Sequence, residues 1–480
     1  MRRYAVSLVL LLSLIGLWEL ATPLLAAPDE PQHLVKAAAV ARGQWVGRGE
    51  AVGPRTHVSL PAGFGELGGY PRCFAFRPRR PASCAPQVTS DAGPLVDVTT
   101  TAGRYPPVYY GLVGLPTRAV AGIASDRAAR LLSGLLCALL LAAAITWAAG
   151  DLLALAVPVV VTPMVLFLGA VVNPSGIEVA AAAATWVGLL RLAHGVGPVP
   201  RTRLVGVTSA AAALALARPI SPLWLVLIPL TVAVSAPRQR LLELVRQRSV
   251  QLAGAVLLVV AVAQTAWVVV AQSTRLFGKP VHVSRFGALR RVLTARHVEH
   301  LASQLVGRFG WLDTGAPRLS VALWGGLALV LLVIGVMVGR RRLKVALIAA
   351  LCVGILVPAA VEASSFPRIG FWWQGRYSLP YLVGLPLLAV VGRSLGQLRT
   401  RLLAAVVAVA VVVAQLDAFA STLARYTVGA GHGLGLGRVS WHPPLPPVTL
   451  VTAFGLVVLL WTAWSVRLAS GPEGTMPAER

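Results

Sequence analysis

Charge is what this sequence has least of. Of 480 residues only 12% are Asp, Glu, Lys or Arg, about half the share of a soluble globular domain. Acids are the scarcest, 17 against 43 basic residues. A chain so poor in charge, with 56% apolar residues, is neither disordered nor a water-soluble enzyme. Cysteine is also sparse. Four residues cannot make a disulfide-stapled scaffold, and no Cys/His spacing matches a structural zinc site. Cys137 and Cys352 fall in apolar runs and read as small core residues. Cys73 and Cys84, 11 residues apart, fall in a hydrophilic stretch and are expected to form a disulfide if that stretch faces an oxidising compartment. A nucleotide-phosphate loop is missing too. Gly429, Gly431, Gly433, Gly435 and Gly437 alternate without the strand-turn-helix setting such a loop needs, and read as a flexible loop.

What the sequence does have is apolar length. Twelve runs are long enough to cross a bilayer, at 4–26, 128–149, 152–171, 175–193, 204–220, 222–236, 250–271, 319–339, 345–361, 377–392, 402–420 and 448–466. A further run, Val108–Ser125, is broken by Pro116 and Arg118. The positive-inside rule decides whether it crosses, because one crossing more or less inverts everything downstream. If it does not, the short segments 191–203, 237–249, 340–344 and 393–401 share one side and hold 14 Lys or Arg in 40 residues. The short segments opposite, 171–178, 218–222, 362–376 and 421–447, hold 5 in 55. The expectation is therefore an all-α polytopic membrane protein of about 12 transmembrane helices with both termini cytoplasmic. Residues 1–471 form one integral membrane domain and 472–480 a short cytoplasmic tail. Two large extracytoplasmic loops, 27–126 and 272–318, remain, with 105–125 lying along the outer surface. The amino end, Met1-Arg2-Arg3 before an apolar run and Leu25-Ala26-Ala27, also reads as a cleavable signal peptide, and cleavage leaves every later orientation unchanged.

The net charge of +26, which in a soluble chain suggests nucleic acid, divides on this topology. Of the basic residues, 18 lie in cytoplasmic segments and 25 in outer regions or at outer helix ends. The outer arginines read either as contacts to anionic lipid head groups or as a site for a phosphate-bearing substrate.

Four polar groups fall on the outer side. The first is Pro28-Asp29-Glu30-Pro31-Gln32-His33, where the first helix emerges. Its carboxylates can act as a general base or ligate a divalent cation, and Asp29 equally suits a helix cap before Pro31. Arg308-Phe309-Gly310-Trp311-Leu312-Asp313-Thr314 and Phe371-Trp372-Trp373-Gln374-Gly375-Arg376-Tyr377 each combine aromatics with Arg ahead of a span. An interfacial aromatic belt accounts for their rings but not for Asp313, Gln374 and Arg376. In Asn173-Pro174-Ser175-Gly176-Ile177-Glu178 the acid lies one turn into a span, a functional candidate or a partner for Arg218.

These motifs, with Pro106-Pro107-Val108-Tyr109-Tyr110, resemble the bacterial membrane proteins of domain of unknown function family 2142, over most of the chain. That family in turn resembles the GT-C superfamily of glycosyltransferases that use polyprenyl-phosphate sugars. The resemblance implies a bacterial plasma-membrane enzyme that transfers sugar from a polyprenyl-phosphate donor to a cell-envelope glycan or lipid acceptor on the outer face. It implies a GT-C-like fold whose large first extracytoplasmic loop bears surface-lying helices. Asp29 is then the catalytic base, with Glu30 and His33 beside it. Arg376 faces the leaving phosphate, and Tyr377, Gln374, Asp313, Trp311, Glu178 and Asn173 bind substrate. A divalent cation, if one is used, falls to Asp29, Glu30 and Glu178, although the turn at Asn173 lacks the second acid that many GT-C members carry. Membrane lipids are the other expected partners, and nucleic acid is not one. The rival readings are a lipid or glycolipid flippase, which calls for mid-span charges and internal repeats, and a non-catalytic envelope-assembly protein.

Overall fold

Apolar run length and proline placement shape the molecule. The computed structural model describes every residue except 50–52, 89–92, 276–277, 279, 394, 432–438 and 471–480. The tail expected at 472–480 and the last three glycines of the 429–437 run lie outside the described residues. Of the described residues 70% are helical. In order come α1 (Arg2–Leu20), α2 (Glu30–Ala41), α3 (Pro107–Val113), α4 (Ser125–Ala148), α5 (Leu153–Val160), α6 (Pro163–Gly169) and α7 (Pro174–His194). There follow α8 (Arg201–Ala217), α9 (Ser221–Ser235), α10 (Arg238–Arg246), α11 (Arg248–Val270), α12 (Arg285–Val292) and α13 (Ala295–Val306). The last are α14 (Arg318–Val338), α15 (Arg341–Ile369), α16 (Gly375–Leu382), α17 (Gly384–Val390), α18 (Gln397–Thr427) and α19 (Pro447–Ala469).

Among the described residues, 8 helices are long and apolar enough to cross a membrane. The remaining four runs read as crossings fold differently. Two are the shorter helices α8, of 17 residues, and α9, of 15. The other two are broken into α5/α6 and α16/α17. Proline explains the first break: Pro163 lacks an N–H and its ring excludes the preceding turn, so α5 stops and α6 restarts at that residue. The carbonyls freed near these breaks find side-chain donors, as apolar surroundings demand. Trp324 Nε1 donates to Val159 O (2.7 Å), Gln415 Nε2 to Val161 O (2.8 Å) and Trp186 Nε1 to Pro380 O (3.2 Å).

Burial separates inner from outer helices. Along α7, 89% of the spanning stretch is buried, against 6% for α11. The run Ala180–Ala184 on α7 explains this, since small side chains let α4 and α8 approach closely.

The chain is not all helix. The segment between α1 and α4 carries β1 (Arg48–Gly49), β2 (Thr56–Pro61) and β3 (Leu95–Thr100), an antiparallel sheet in that order. Alternating Thr56, Val58 and Leu60 face inward along β2, the period-2 pattern of a half-buried strand. The stretch 105–125, expected to lie on the surface, folds as α3 and two short 3-10 turns. Cys73 and Cys84 in the same segment form a disulfide with Cα atoms 5.9 Å apart. The short ribbon β4 (Arg308–Phe309) with β5 (Thr314–Gly315) closes the segment after α13.

Candidate functional site

The site begins at the first turn of α2. Pro31 stands in that turn, a position where its missing N–H costs nothing. Asp29 is the N-cap residue but does not cap through its side chain. Its backbone takes the left-handed conformation (φ 61, ψ 8), which costs a non-glycine residue about 1 kcal/mol, while its carbonyl accepts the first helical bonds from Gln32 N (2.9 Å) and His33 N (3.0 Å). The carboxylate is left projecting, its side chain 54% exposed, and Oδ2 meets Arg376 Nη2 at 3.3 Å.

Arg376 comes from the second residue of α16, and its side chain is only 3% exposed. Gly375 makes this placement possible. Its N–H donates to Gln304 Oε1 at 2.8 Å, and a Cβ there would stand 2.5 Å from Leu301 O. Nε and Nη1 of Arg376 are buried without a partner, as is the neighbouring Gln374 Oε1. An unsatisfied buried polar group costs about 1–3 kcal/mol, more for a charged one, so this cluster holds capacity that the chain itself does not use.

A second arginine stands beside the first. Arg218, at the end of α8, pairs with Glu178 of α7 (3.3 Å), whose other oxygen accepts from Ser221 Oγ (2.7 Å). The Arg218 guanidinium lies 4.3 Å from the Tyr377 ring centroid and that of Arg376 lies 5.3 Å from it, so both cations pack on one aromatic ring. His33, one turn beyond Asp29, shares a 2.8 Å hydrogen bond through Nδ1 with Tyr110 Oη, and its ring centroid is 5.8 Å from that of Tyr105. Burial, then the charges of Arg376 and Arg218, hold the imidazole well below its usual 6.5, so His33 is neutral at physiological pH. Asn173 completes the wall. It caps α7 by accepting from Ser175 N (3.0 Å) and ties Pro28 O to that cap through Nδ2 (3.1 Å).

The structure thus gathers Asp29, His33, Asn173, Glu178, Gln374, Arg376 and Tyr377. Three other candidates are engaged elsewhere. Glu30 is fully buried and accepts from Arg130 Nε (2.8 Å), Arg130 Nη2 (2.6 Å), Val172 N (2.9 Å) and Ala27 N (3.1 Å). With its oxygens so occupied, it fixes the Asp29 turn rather than facing the open side of the site. Asp313 pairs with Arg425 at 2.9 Å. Trp311 Nε1 donates to Leu25 O at 3.2 Å. Residues absent from the sequence reading also emerge. Arg130 binds Asp126 (2.9 Å) besides Glu30, a contact one turn along α4 that an i,i+4 scan reveals. Lys36, buried on α2, donates to Gly103 O (2.7 Å) and Trp45 O, and burial pushes its amine down to about 7.

A divalent cation does not fit the three acids proposed for it. Asp29, Glu30 and Glu178 each face a separate arginine. Among the described residues no three His, Cys, Asp or Glu side chains come together to hold a metal.

Among the described residues 8 helices are long and apolar enough to cross a membrane, and such a bundle is that of a multi-pass membrane protein. Its family follows from the sequence: the chain belongs to the family described as predicted membrane protein (DUF2142), whose model matches residues 12–385. Comparison with curated proteins and with solved structures gives no match.

Proposed function

We propose that this protein is a membrane glycosyltransferase that moves a sugar from a polyprenyl-phosphate donor to a cell-envelope acceptor on the outer face of a bacterial plasma membrane. The observation that carries this reading is the pairing of a projecting carboxylate, Asp29, with a buried arginine, Arg376, that keeps two donor nitrogens unpartnered. Glycosyl transfer needs both a base and an anion site. The acceptor hydroxyl attacks the anomeric carbon and gives its proton to Asp29. The bond from that carbon to the phosphate oxygen breaks, and the lipid phosphate leaves with the electron pair. Arg376 supplies donors for the charge that develops on the phosphate, with Arg218 adding positive potential beside it. Gln374, whose Oε1 has no partner, can accept from a sugar hydroxyl, while neutral His33, held by Tyr110, backs the turn that carries Asp29. An apolar cavity of about 370 Å3 between α13, α14, α15 and α16 suits the polyprenyl chain; Gly375 and Ser378, which flank Arg376 in the sequence, line it.

The same reading carries twelve crossings, with α8, α9 and the two broken pairs added to the eight long helices and both termini cytoplasmic. Purified protein given a panel of polyprenyl-phosphate sugars is expected to transfer with at least one. Asp29→Asn should reduce kcat by about 100-fold or more, and Arg376→Ala should weaken donor binding as well. The reading fails if no donor in the panel binds or turns over, or if Asp29→Asn keeps full activity.

A further inference from the structure

Between α1 and α4 the chain makes a disulfide-closed loop, Cys73-Phe74-Ala75-Phe76-Arg77-Pro78-Arg79-Arg80-Pro81-Ala82-Ser83-Cys84, with Arg72 just ahead of it. Arg72, Arg77, Arg79 and Arg80 are all exposed. No acid occurs between Glu66 and Asp91, and no described acid pairs with any of the four. Such clusters repel themselves and gain from being dispersed or neutralised, yet this one is held in place. Arg425, buried at the end of α18, donates to Phe74 O (2.9 Å) and Arg80 O (3.0 Å) while pairing with Asp313, and Ala430 N donates to Pro78 O (2.8 Å). The Phe74 ring is fully buried. Anchors act on the backbone, so the arginine side chains are presented and not spent.

The loop is also tied to the site. Phe76, held at φ 60, sets its ring against Trp311 (5.6 Å between centroids), and Trp311 donates to Leu25 O, four residues before Asp29. On the other flank, Arg72 lines a polar cavity of about 410 Å3 together with Glu66, Tyr70 and Gln87. A carboxylate, a phenol and a carboxamide around one space offer the mixed donors and acceptors that polyols need.

We propose that this arginine loop and the polar cavity beside it form the docking surface for an anionic polyol or glycan chain bearing phosphate groups, the acceptor polymer of the transfer described above. Only the acceptor role rests on the transferase reading; the binding itself does not. The recess favours a partner that brings hydroxyls together with phosphates, the hydroxyls meeting Glu66, Tyr70 and Gln87 and the phosphates meeting the arginine forks.

The test uses the full chain in nanodiscs of neutral lipid, with fluorescent polyglycerol phosphate as probe and fluorescent dextran as the uncharged control. Polyglycerol phosphate should bind in a salt-sensitive manner and dextran should not. The double variant Arg77→Glu/Arg79→Glu, altered only at exposed side chains, should weaken binding by about tenfold or more, with its thermal midpoint unchanged. Asp29→Asn should bind the polymer as wild type does. Equal binding of dextran, or polymer binding untouched by the double variant, overturns the proposal. So does a wild type that ignores the polymer but loses association with anionic vesicles when the two arginines are reversed. Polymer binding without transfer from any donor would leave the docking surface standing and remove the transferase reading.

Discussion

Asp29 and His33 sit one turn apart on α2 and face opposite conditions. The aspartate projects from a left-handed cap toward Arg376, while the histidine is sealed against Tyr110 and Tyr105. The sealed ring has a consequence for pH. Its folded value is depressed, so below the usual 6.5 the unfolded chain takes up a proton that the folded chain refuses. The contribution of this site to stability is complete above pH 6.5 and is lost progressively as the pH falls. The thermal midpoint of the wild type in detergent should drop between about pH 6.5 and 5, and His33→Gln should flatten that slope. At this scale the sequence was partly legible. Adjacent carboxylates after the first helix and an arginine among tryptophans stand out as residue types in unusual places. What could not be read was the division between Asp29 and Glu30, because it depends on Arg130, which arrives from α4 a hundred residues later.

Elements show how that division is enforced. The first turn of α2 is clamped to α4 by Arg130, which binds Glu30, Asp126 and the carbonyls of Thr22 (3.1 Å) and Pro23 (2.9 Å). Removing one partner of a buried ion cluster leaves charges without compensation and costs about 3–5 kcal/mol. Arg130→Leu should therefore lower the thermal midpoint and, in any protein that still folds, reduce turnover through a displaced Asp29. A ligand-binding role for Glu30 would instead leave stability unchanged in Glu30→Gln, which the same thermal measurement checks. The broken helices mark the limit of legibility among elements. Hydropathy finds the runs at 152–171 and 377–392 but is blind to where each is interrupted, at Pro163 in the first and at Val383 in the second. The partners that absorb the freed carbonyls, Trp324, Gln415 and Trp186, lie far away in sequence.

For the whole molecule, class is more legible in the sequence than the number of crossings. Apolar content and run length establish a multi-pass helical membrane protein, because a bilayer imposes one length on every crossing. The number of crossings is harder, since a fully enclosed short helix and a lipid-facing one have similar hydropathy. The twelve-crossing arrangement is tested by single cysteines in a Cys352→Ala background. Arg118→Cys and Glu299→Cys, both exposed, should react with a membrane-impermeant thiol reagent on intact cells. Arg246→Cys, also exposed, should react only after permeabilisation, and external labelling there would overturn the crossing count.

The enclosure of the broken helices has a mechanical meaning. Every residue of α5, α6 and α17 is buried, while α11 gives nearly all of its surface to the outside. A bilayer that thickens or thins acts on the lipid-facing helices, which answer by tilting. The inner pieces α5, α6 and α17, buried within the protein, present far less surface to such stress. A change in bilayer thickness is therefore expected to reach α11 first and to leave the packing of α5, α6 and α17 least altered.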